Sequence, residues 1–356
     1  MIALTERNGA VVGKRVTVED IAQKLGLSSM TVSRALNDRP NVGEETRERV
    51  LQAAREMGYR PNRIAKSLVL SKTYTIGIVL PKMAHFFFPE VIRGVETVTH
   101  DKGYQLILTH SAEDAEREIA AIQTLESSRV DGILISMAQS TSNYEEYTQI
   151  MKSGMPLVFF DRCAFGIGAS CVSVDDRDTS RRAIEHLIDV HGRKRIAHLK
   201  GPVSVSVGKD RFDGYKDGLE ANGLPYEEEL VSDSSFNEKG GYEAMMKILQ
   251  LPKDRWPDGV FAVNDPAAIG AIEALKEAGL RIPEDIGIIG FTDDPRAPLT
   301  NPPLTTVRQP AFEIGKTAAQ RLISLIDEER EVDDVDEIVV KSDLIIRNSC
   351  GCQNGK

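Results

Sequence analysis

The chain of 356 residues is poor in cysteine and contains no long apolar run, and each shortage excludes a class of protein. No uninterrupted apolar stretch approaches the roughly 18 residues of a membrane-spanning helix, so no membrane partner is expected. The opening MIALTERNGAVVGKR has a charge pair and two glycines where a secretory signal would have a basic stretch and then an apolar one, which points to the cytoplasm. The four cysteines, Cys163, Cys171, Cys350 and Cys352, lack paired metal spacing, and Cys350-Gly-Cys352 is a lone C-x-C. They are expected to be reduced thiols without a metal role. Catalytic signatures are missing too: no Gly-x-Gly-x-x-Gly after the first apolar run, no Walker loop and no nucleophile elbow. The six histidines (His85, His100, His110, His186, His191, His198) are scattered, and the five-residue gap between His186 and His191 is poor spacing for two ligands on one α-helical face. Neither an enzyme nor a bound cofactor or metal is expected. No internal repeat or low-complexity tract appears.

What is present is unevenly charged. The net charge is −10, yet residues 1–72 hold 13 Lys and Arg against 8 Asp and Glu, so a head of +5 precedes a body of −15. A positioned basic module on an acidic body suits a nucleic-acid partner without indiscriminate sticking.

The head opens with VTVEDIAQKLGLSSMTVSRALN, Val16 to Asn37. Thr17 can cap a first helix, with Asp20 completing a capping box and Ile21, Ala22 and Leu25 forming its apolar face. Gly26 ends it, Leu27 buries in the turn and Ser28 caps a second helix. Val32, Ala35 and Leu36 then face inward, leaving Ser29, Met30, Ser33 and Arg34 outside. This is a helix-turn-helix pattern whose second helix has the small, polar outer face that entry into a DNA major groove requires. A third helix spans Glu44 to Met57, with Val50, Ala54 and Met57 inward, and Gly58 stops it. Pro61-Asn62 breaks the chain before a short segment, Arg63 to Val69, too short to persist alone as a helix. It reads either as an interdomain linker or as a helix that folds against DNA with Leu68 as a minor-groove wedge.

TVEDIAQKLGLSSMTVSRALN, TRERVLQAAREMGYRPN and PNRIAKSL stand in the order found in the LacI/GalR family of bacterial transcription repressors, and residues 16–70 resemble that family's DNA-binding head and hinge. The resemblance implies contacts to double-stranded operator DNA by Thr17, Ser28, Ser29, Met30, Thr31, Ser33, Arg34 and Asn37 in the head and by Asn62, Ala65 and Leu68 in the hinge. Ser29 and Met30 would select bases, and Arg34 would touch a base edge or phosphate.

From Thr75 onward, apolar runs alternate with amphipathic helices. The runs are Ile76–Leu80, Gln105–Thr109, Gly132–Met137, Leu157–Phe160, Val172–Val174, Ile196–Leu199, Val260–Val263 and Ile286–Gly290, with helices such as Pro89–Asp101, Asp178–Val190 and Pro266–Ala278 between them. Continuous apolar runs mean strands buried on both faces, and the βαβα order means parallel sheet. The strands are too many for one small sheet. The expected fold is therefore α/β: a flexible tail (1–15), a helix-turn-helix head (16–60), a hinge helix and linker (61–72), and a body (73–356) of two doubly wound subdomains. The body resembles the family's effector domain, itself similar to periplasmic sugar-binding proteins. On that resemblance the chain crosses between subdomains near 175, 305 and 336, giving an N-subdomain of about 73–175 and 307–335 and a C-subdomain of about 176–305 and 336–349.

Ligands of open α/β sheets lie beyond the carboxyl ends of the strands. After the first strand come His85, Phe86, Phe87 and Phe88, aromatics that either cap the core or stack on a ligand ring. His85 stands where relatives often have a polar residue of an Asn-Pro pair. Asp161-Arg162 ends the fourth strand and reads either as a surface ion pair or as acceptors and a donor fork for vicinal hydroxyls. Arg211 lies near a helix start, where a cation needs an anionic partner or a ligand. The resemblance makes His85, Phe87, Phe88, Asp161, Arg162, Arg211, Asn264 and Asp293 effector contacts, with Asp265 expected to cap the following helix. The implied effector is a small molecule, a sugar or sugar phosphate in preference to a purine. The implied protein is a cytoplasmic, nucleoid-associated homodimer, since the tail after Cys350 carries no leucine heptad for a larger coiled-coil assembly.

Overall fold

A computed structural model of the chain describes residues 16–60, 72–83, 86–327 and 335–352. Asn62, Ala65, Leu68 and His85 lie outside the described residues. The chain divides into a unit ending at Thr73 and another beginning at Tyr74.

The first unit contains helices α1 (Val18–Leu25), α2 (Ser29–Leu36) and α3 (Glu44–Glu56). The capping box at α1 is complete: Asp20 N donates to Thr17 Oγ1 at 3.2 Å and Thr17 N donates to Asp20 Oδ2 at 2.8 Å. Gly26 leaves the helix at φ 65°, a left-handed position that suits glycine. Ser28 caps α2 by accepting from Thr31 N at 3.1 Å. Ile21, Ala22, Val32, Ala35, Val50, Ala53 and Ala54 bury at the junction of the three helices. Met57 is half-buried at the end of α3.

In the second unit, two six-stranded sheets carry the fold. The first has the order β11-β5-β4-β3-β1-β2, with β1 (Thr75–Leu80), β2 (Gln105–His110), β3 (Gly132–Ile135), β4 (Leu157–Phe160), β5 (Ser170–Ser173) and β11 (Glu337–Val339), all parallel. The second has the order β12-β10-β9-β8-β6-β7, with β6 (Ile196–Lys200), β7 (Val231–Asp233), β8 (Gly259–Ala262), β9 (Gly287–Thr292), β10 (Thr305–Arg308) and β12 (Asp343–Ile345). Only β12 runs antiparallel to its neighbour. The continuous apolar runs behave as expected of strands covered on both sides: every residue of β3, β4 and β8 is buried. Covering helices include α4 (Phe87–Asp101), α5 (Ala115–Ser127), α6 (Glu145–Lys152), α7 (Asp176–Glu185), α8 (Ser206–Ala221), α9 (Glu238–Ile248), α10 (Asp265–Glu277) and α11 (Ala311–Asp327).

The strand pairing puts the subdomain crossings between β5 and α7, between β10 and α11, and between β11 and β12. The last two fall a few residues later than expected from the sequence. β10 belongs to the second sheet, and β11 still pairs with β5 in the first, Glu337 opposite Cys171. The strands β10, β11 and β12 are only three or four residues long, so their apolar pattern is too brief to assign them to a sheet. A second correction concerns the thiols. Cys163 and Cys171 are joined by a disulfide, with Cα atoms 6.0 Å apart, so they are not the reduced thiols expected; the chain folds the turn after β4 back onto β5, and the eight-residue separation did not reveal that approach. A third concerns α7, which starts at Asp176 with Asp175 as its cap and gives way at His186 to a turn of π-helix, His186–Val190.

Close backbone packing of α4 on α11 fixes where the first aromatic wall begins. A Cβ at Gly94 would meet Phe312 O at 2.0 Å, and one at Gly315 would meet Val91 O at 2.0 Å. Gly94→Ala is therefore expected to lower stability by about 1–3 kcal/mol, the usual cost of overpacking, as a fall in the urea midpoint. An unchanged midpoint would mean that the helices separate freely.

Candidate functional sites

On the head, the N-terminal half of α2 presents a polar outer face around Met30, which is 65% exposed. Of the eight head residues singled out from sequence, four are engaged locally. Thr17 and Ser28 serve as helix caps, the Ser28 hydroxyl lies 2.8 Å from Thr31 Oγ1, and Asn37 Nδ2 donates to Ser33 O at 2.8 Å. Ser29, Ser33 and Arg34 are exposed. The Arg34 side chain has no hydrogen-bond or ion-pair partner among the described residues. The Ser28–Thr31 and Asn37–Ser33 bonds brace the two ends of α2 while Ser29, Met30, Ser33 and Arg34 point away from the head's core.

On the body, a cleft opens where the two sheets meet. Phe87, Phe88, Asp161 and Arg162 line it from the first subdomain, Val207, Arg211, Phe236, Asn264 and Thr292 from the second, and Gln309 from the crossing after β10. The lining residues lie beyond the carboxyl ends of strands, where open α/β sheets take ligands. The aromatics divide their roles: Phe88 belongs to the core at 3% exposure, Phe87 packs against it edge-on with ring centroids 5.3 Å apart while also facing the cleft, and Phe86 is exposed. The core-capping reading of this loop holds for Phe88, while Phe87 borders both the core and the cleft.

Arg211 is the centre of the wall. It is 2% exposed, its guanidinium lies 3.7 Å from the Phe291 ring centroid, and Nε donates to Asp176 Oδ1 at 2.7 Å. Its other nitrogens donate to Val263 O at 2.8 Å and Gln309 Oε1 at 3.4 Å. Gln309 Nε2 in turn donates to Asp161 Oδ1 at 2.6 Å. One continuous chain, Asp176–Arg211–Gln309–Asp161, therefore runs from the second subdomain through the crossing to the first. The anion that a cation near a helix start calls for is Asp176, within the protein. Burial raises the pKa of both Asp161 and Asp176, and the nearby guanidinium groups of Arg162 and Arg211 oppose that rise.

Arg162 is 6% exposed and is no surface ion pair. It donates to Glu113 Oε2 at 2.7 Å and Met137 O at 3.2 Å, with its guanidinium 5.0 Å from the Phe236 ring centroid on the opposite wall. Its Nε is buried without a partner among the described residues. Further bonds cross the cleft: Ser204 Oγ donates to Gln139 O at 2.7 Å, and Cys163 N donates to Ser206 Oγ at 3.2 Å.

Two sequence assignments change here. Asp293 does not line the cleft, because Arg308 Nε at 2.8 Å and Arg347 at 2.6 Å take its carboxylate; Thr292 lines it instead. Thr292 is β-branched at φ 112°, a conformation costing about 1–3 kcal/mol that persists only where surroundings impose it. Asp265 does not cap α10. Asn264 does, accepting from Ala267 N at 3.0 Å, and its Nδ2 donates to Phe236 O at 3.1 Å. Asp265 is wholly buried, accepts from Thr306 Oγ1 at 2.6 Å and Asp294 N at 2.7 Å, and is pushed up to about 8 by burial. Sequence reasoning missed Val207, Phe236, Thr292 and Gln309. Gln309 had a usable signal, since it sits in LTTVRQP beside a crossing, and a residue where the chain passes between subdomains must face the space between them.

Residues 17–62 match the bacterial regulatory proteins of the lacI family, and residues 184–350 match the periplasmic binding protein-like domain. The ribose operon repressor of Bacillus subtilis (strain 168) is 36% identical over 311 residues, covering 87% of this chain and 91% of that protein. Among solved structures, a Lac repressor dimer bound to operator and the anti-inducer ONPF superposes with a TM-score of 0.84 at 25% identity, covering 95% of this chain and 99% of that one. A complex of the transcriptional regulator CelR with cellobiose superposes with a TM-score of 0.71 at 30% identity, covering 94% and 100%. A DNA-reading head and a two-subdomain cleft, each matched in its own part of the sequence, place this chain in the LacI family of bacterial regulatory proteins.

Proposed function

We propose that the chain is a dimeric repressor that binds a pseudo-palindromic operator through paired α2 helices and that a sugar or sugar derivative in the cleft controls its affinity for DNA. The observation that carries this reading is the bonded chain Asp176–Arg211–Gln309–Asp161, which ties the cleft's polar groups to a crossing between subdomains. A ligand that engages Asp161 acts on the same network that holds the subdomains together, so it favours one arrangement over another. The family resemblance and the solved relative bound to operator support the DNA partner. Each head reads half a site, so a twofold partner chain completes the operator. On this reading the protein works in the cytoplasm, at the nucleoid.

Three features favour a polyhydroxylated ligand. Asp161 Oδ1 is engaged by Gln309, and no donor among the described residues reaches its second oxygen, which suits a ligand hydroxyl. Arg162 is held as a donor on the same wall. Phe87 and Phe236 provide apolar faces on opposite sides. Relatives include a regulator solved with cellobiose. Phe87, Phe88, Asp161, Arg162, Arg211 and Asn264 are the proposed contacts, joined by Thr292 and Gln309.

For DNA, Ser29 and Met30 select bases and Arg34 touches a base edge or phosphate, with the hinge residues Asn62, Ala65 and Leu68 assigned by resemblance. In mobility-shift titrations on DNA from the promoter region of its own gene, Arg34→Ala is expected to weaken binding by about 1–3 kcal/mol, and to relax specificity if the side chain reads a base. A variant that binds as tightly as the parent would remove Arg34 from the interface. For the effector, Asp161→Asn is the cleanest change, because asparagine tolerates the left-handed φ of 61° at this position and keeps the bond to Gln309 possible. Thermal-shift screening against sugars and nucleobases should find a sugar that raises the parent's Tm by mass action, with the shift lost in Asp161→Asn. A nucleobase that stabilises the parent where no sugar does would assign the cleft to purines.

A further inference from the structure

Far from the cleft, the side chains that the sequence left without a shared role come together. The π-helical turn His186–Val190 follows α7 directly. On an α-helix, five residues rotate a side chain roughly 140° from its starting direction. The wider π-turn, closed by bonds five residues apart, removes much of that rotation. His186 and His191 accordingly face each other, their ring centroids 5.2 Å apart and their planes nearly perpendicular. The gap that makes poor ligand spacing on an α-helix is good spacing here.

The segment after β12 enters the same space. Ser349 fixes it to the second sheet, its Oγ donating to Ile288 O at 2.7 Å and accepting from Thr305 N at 2.8 Å. Cys350 follows, fully buried. Gly351 turns the chain at φ 118°, and a Cβ there would lie 2.9 Å from His191 Nδ1, so glycine is required on both counts. Cys352 Sγ then sits 3.6 Å from His186 Nε2 and 3.3 Å from His191 Nε2. One donor atom from each of the four residues lies within 4.8 Å of the others.

We propose that His186, His191, Cys350 and Cys352 form a tetrahedral zinc site that fastens the segment after β12 to the end of α7. Zinc bound by thiolate at about 2.3 Å and imidazole at about 2.0–2.1 Å in a tetrahedron holds sulfur and nitrogen about 3.5 Å apart, which both Cys352 contacts approach already. Two thiolates balance the charge of Zn²⁺, and the two thiol protons are released on binding. Sulfur and imidazole donors select zinc over hard cations such as Mg²⁺ and Ca²⁺. Four protein ligands leave no open position, so the site is structural. It lies at the starting end of the second sheet, where a Cβ on Gly287, the first residue of β9, would meet Cys350 O at 3.1 Å and Leu187 at 3.5 Å. The cleft is at the opposite, carboxyl end of those strands.

The test uses the full chain, freed of metal with a chelator under reductant and then exposed to Zn²⁺ or Co²⁺. One zinc per chain is expected by elemental analysis, together with a higher Tm. The Co²⁺ form should show the intense visible bands of a tetrahedral site and a thiolate-to-metal band in the near ultraviolet. Cys352→Ser and His191→Gln, each altering a residue on the rim of the C-subdomain, should abolish the thermal response to zinc and lose or alter the cobalt bands while leaving operator binding in place. A parent chain that takes up no stoichiometric metal would overturn the proposal. So would metal uptake with cobalt spectra and thermal response unchanged in both variants.

Discussion

A guanidinium buried at the meeting of two sheets is costly unless its charge is paired, and removing one partner of such a pair typically costs about 3–5 kcal/mol. Arg211 satisfies that condition with Asp176, Val263 O, Gln309 and the face of Phe291. Those partners come from the start of α7, the end of β8, the crossing after β10 and the last turns of β9. The constraint therefore fixes the relative placement of several strand ends at once, and these ends form the cleft wall. Asp161 joins through Gln309, which brings the first subdomain under the same constraint.

The head solves a different problem with local bonds. Its core is small, seven buried residues over three short helices, and such helices are marginal alone. Side-chain caps at Thr17 and Ser28, a left-handed exit at Gly26 and a cap by Asn37 at the end of α2 hold the helix-turn-helix, leaving Ser29, Met30, Ser33 and Arg34 outward. Apolar residues that would enlarge the core are not available on that face, since a major groove would then meet no polar groups.

The helix-turn-helix was legible residue by residue because caps, glycine and period coincide over twenty residues. The two-sheet body was legible because buried parallel strands read as continuous apolar runs. Assignments that depended on long-range register were not. Asp293 and Thr292 are neighbours, and only the approach of Arg308 and Arg347 decides which of them faces the cleft. Asn264 and Asp265 are equally good caps by residue type, yet Asn264 takes the role and Asp265 is buried against Thr306. The pairing of Cys163 with Cys171 and the turn that unites His186 with His191 are likewise invisible to spacing, the second because the backbone there is π-helical and departs from α-helical periodicity. Asp161, Arg162, Arg211 and Asn264, singled out by position at strand or helix ends together with the family resemblance, all line the cleft.

In the proposed function, Gln309 carries the linkage between the effector cleft and the arrangement of the subdomains. This role is tested most directly by titrating labelled operator with parent and Gln309→Ala protein, in the absence and presence of a saturating sugar identified by thermal shift. The sugar is expected to change the parent's operator affinity several-fold, and the ratio to fall towards one in the variant, even though both proteins bind the operator. An equal ratio in the two proteins would contradict it.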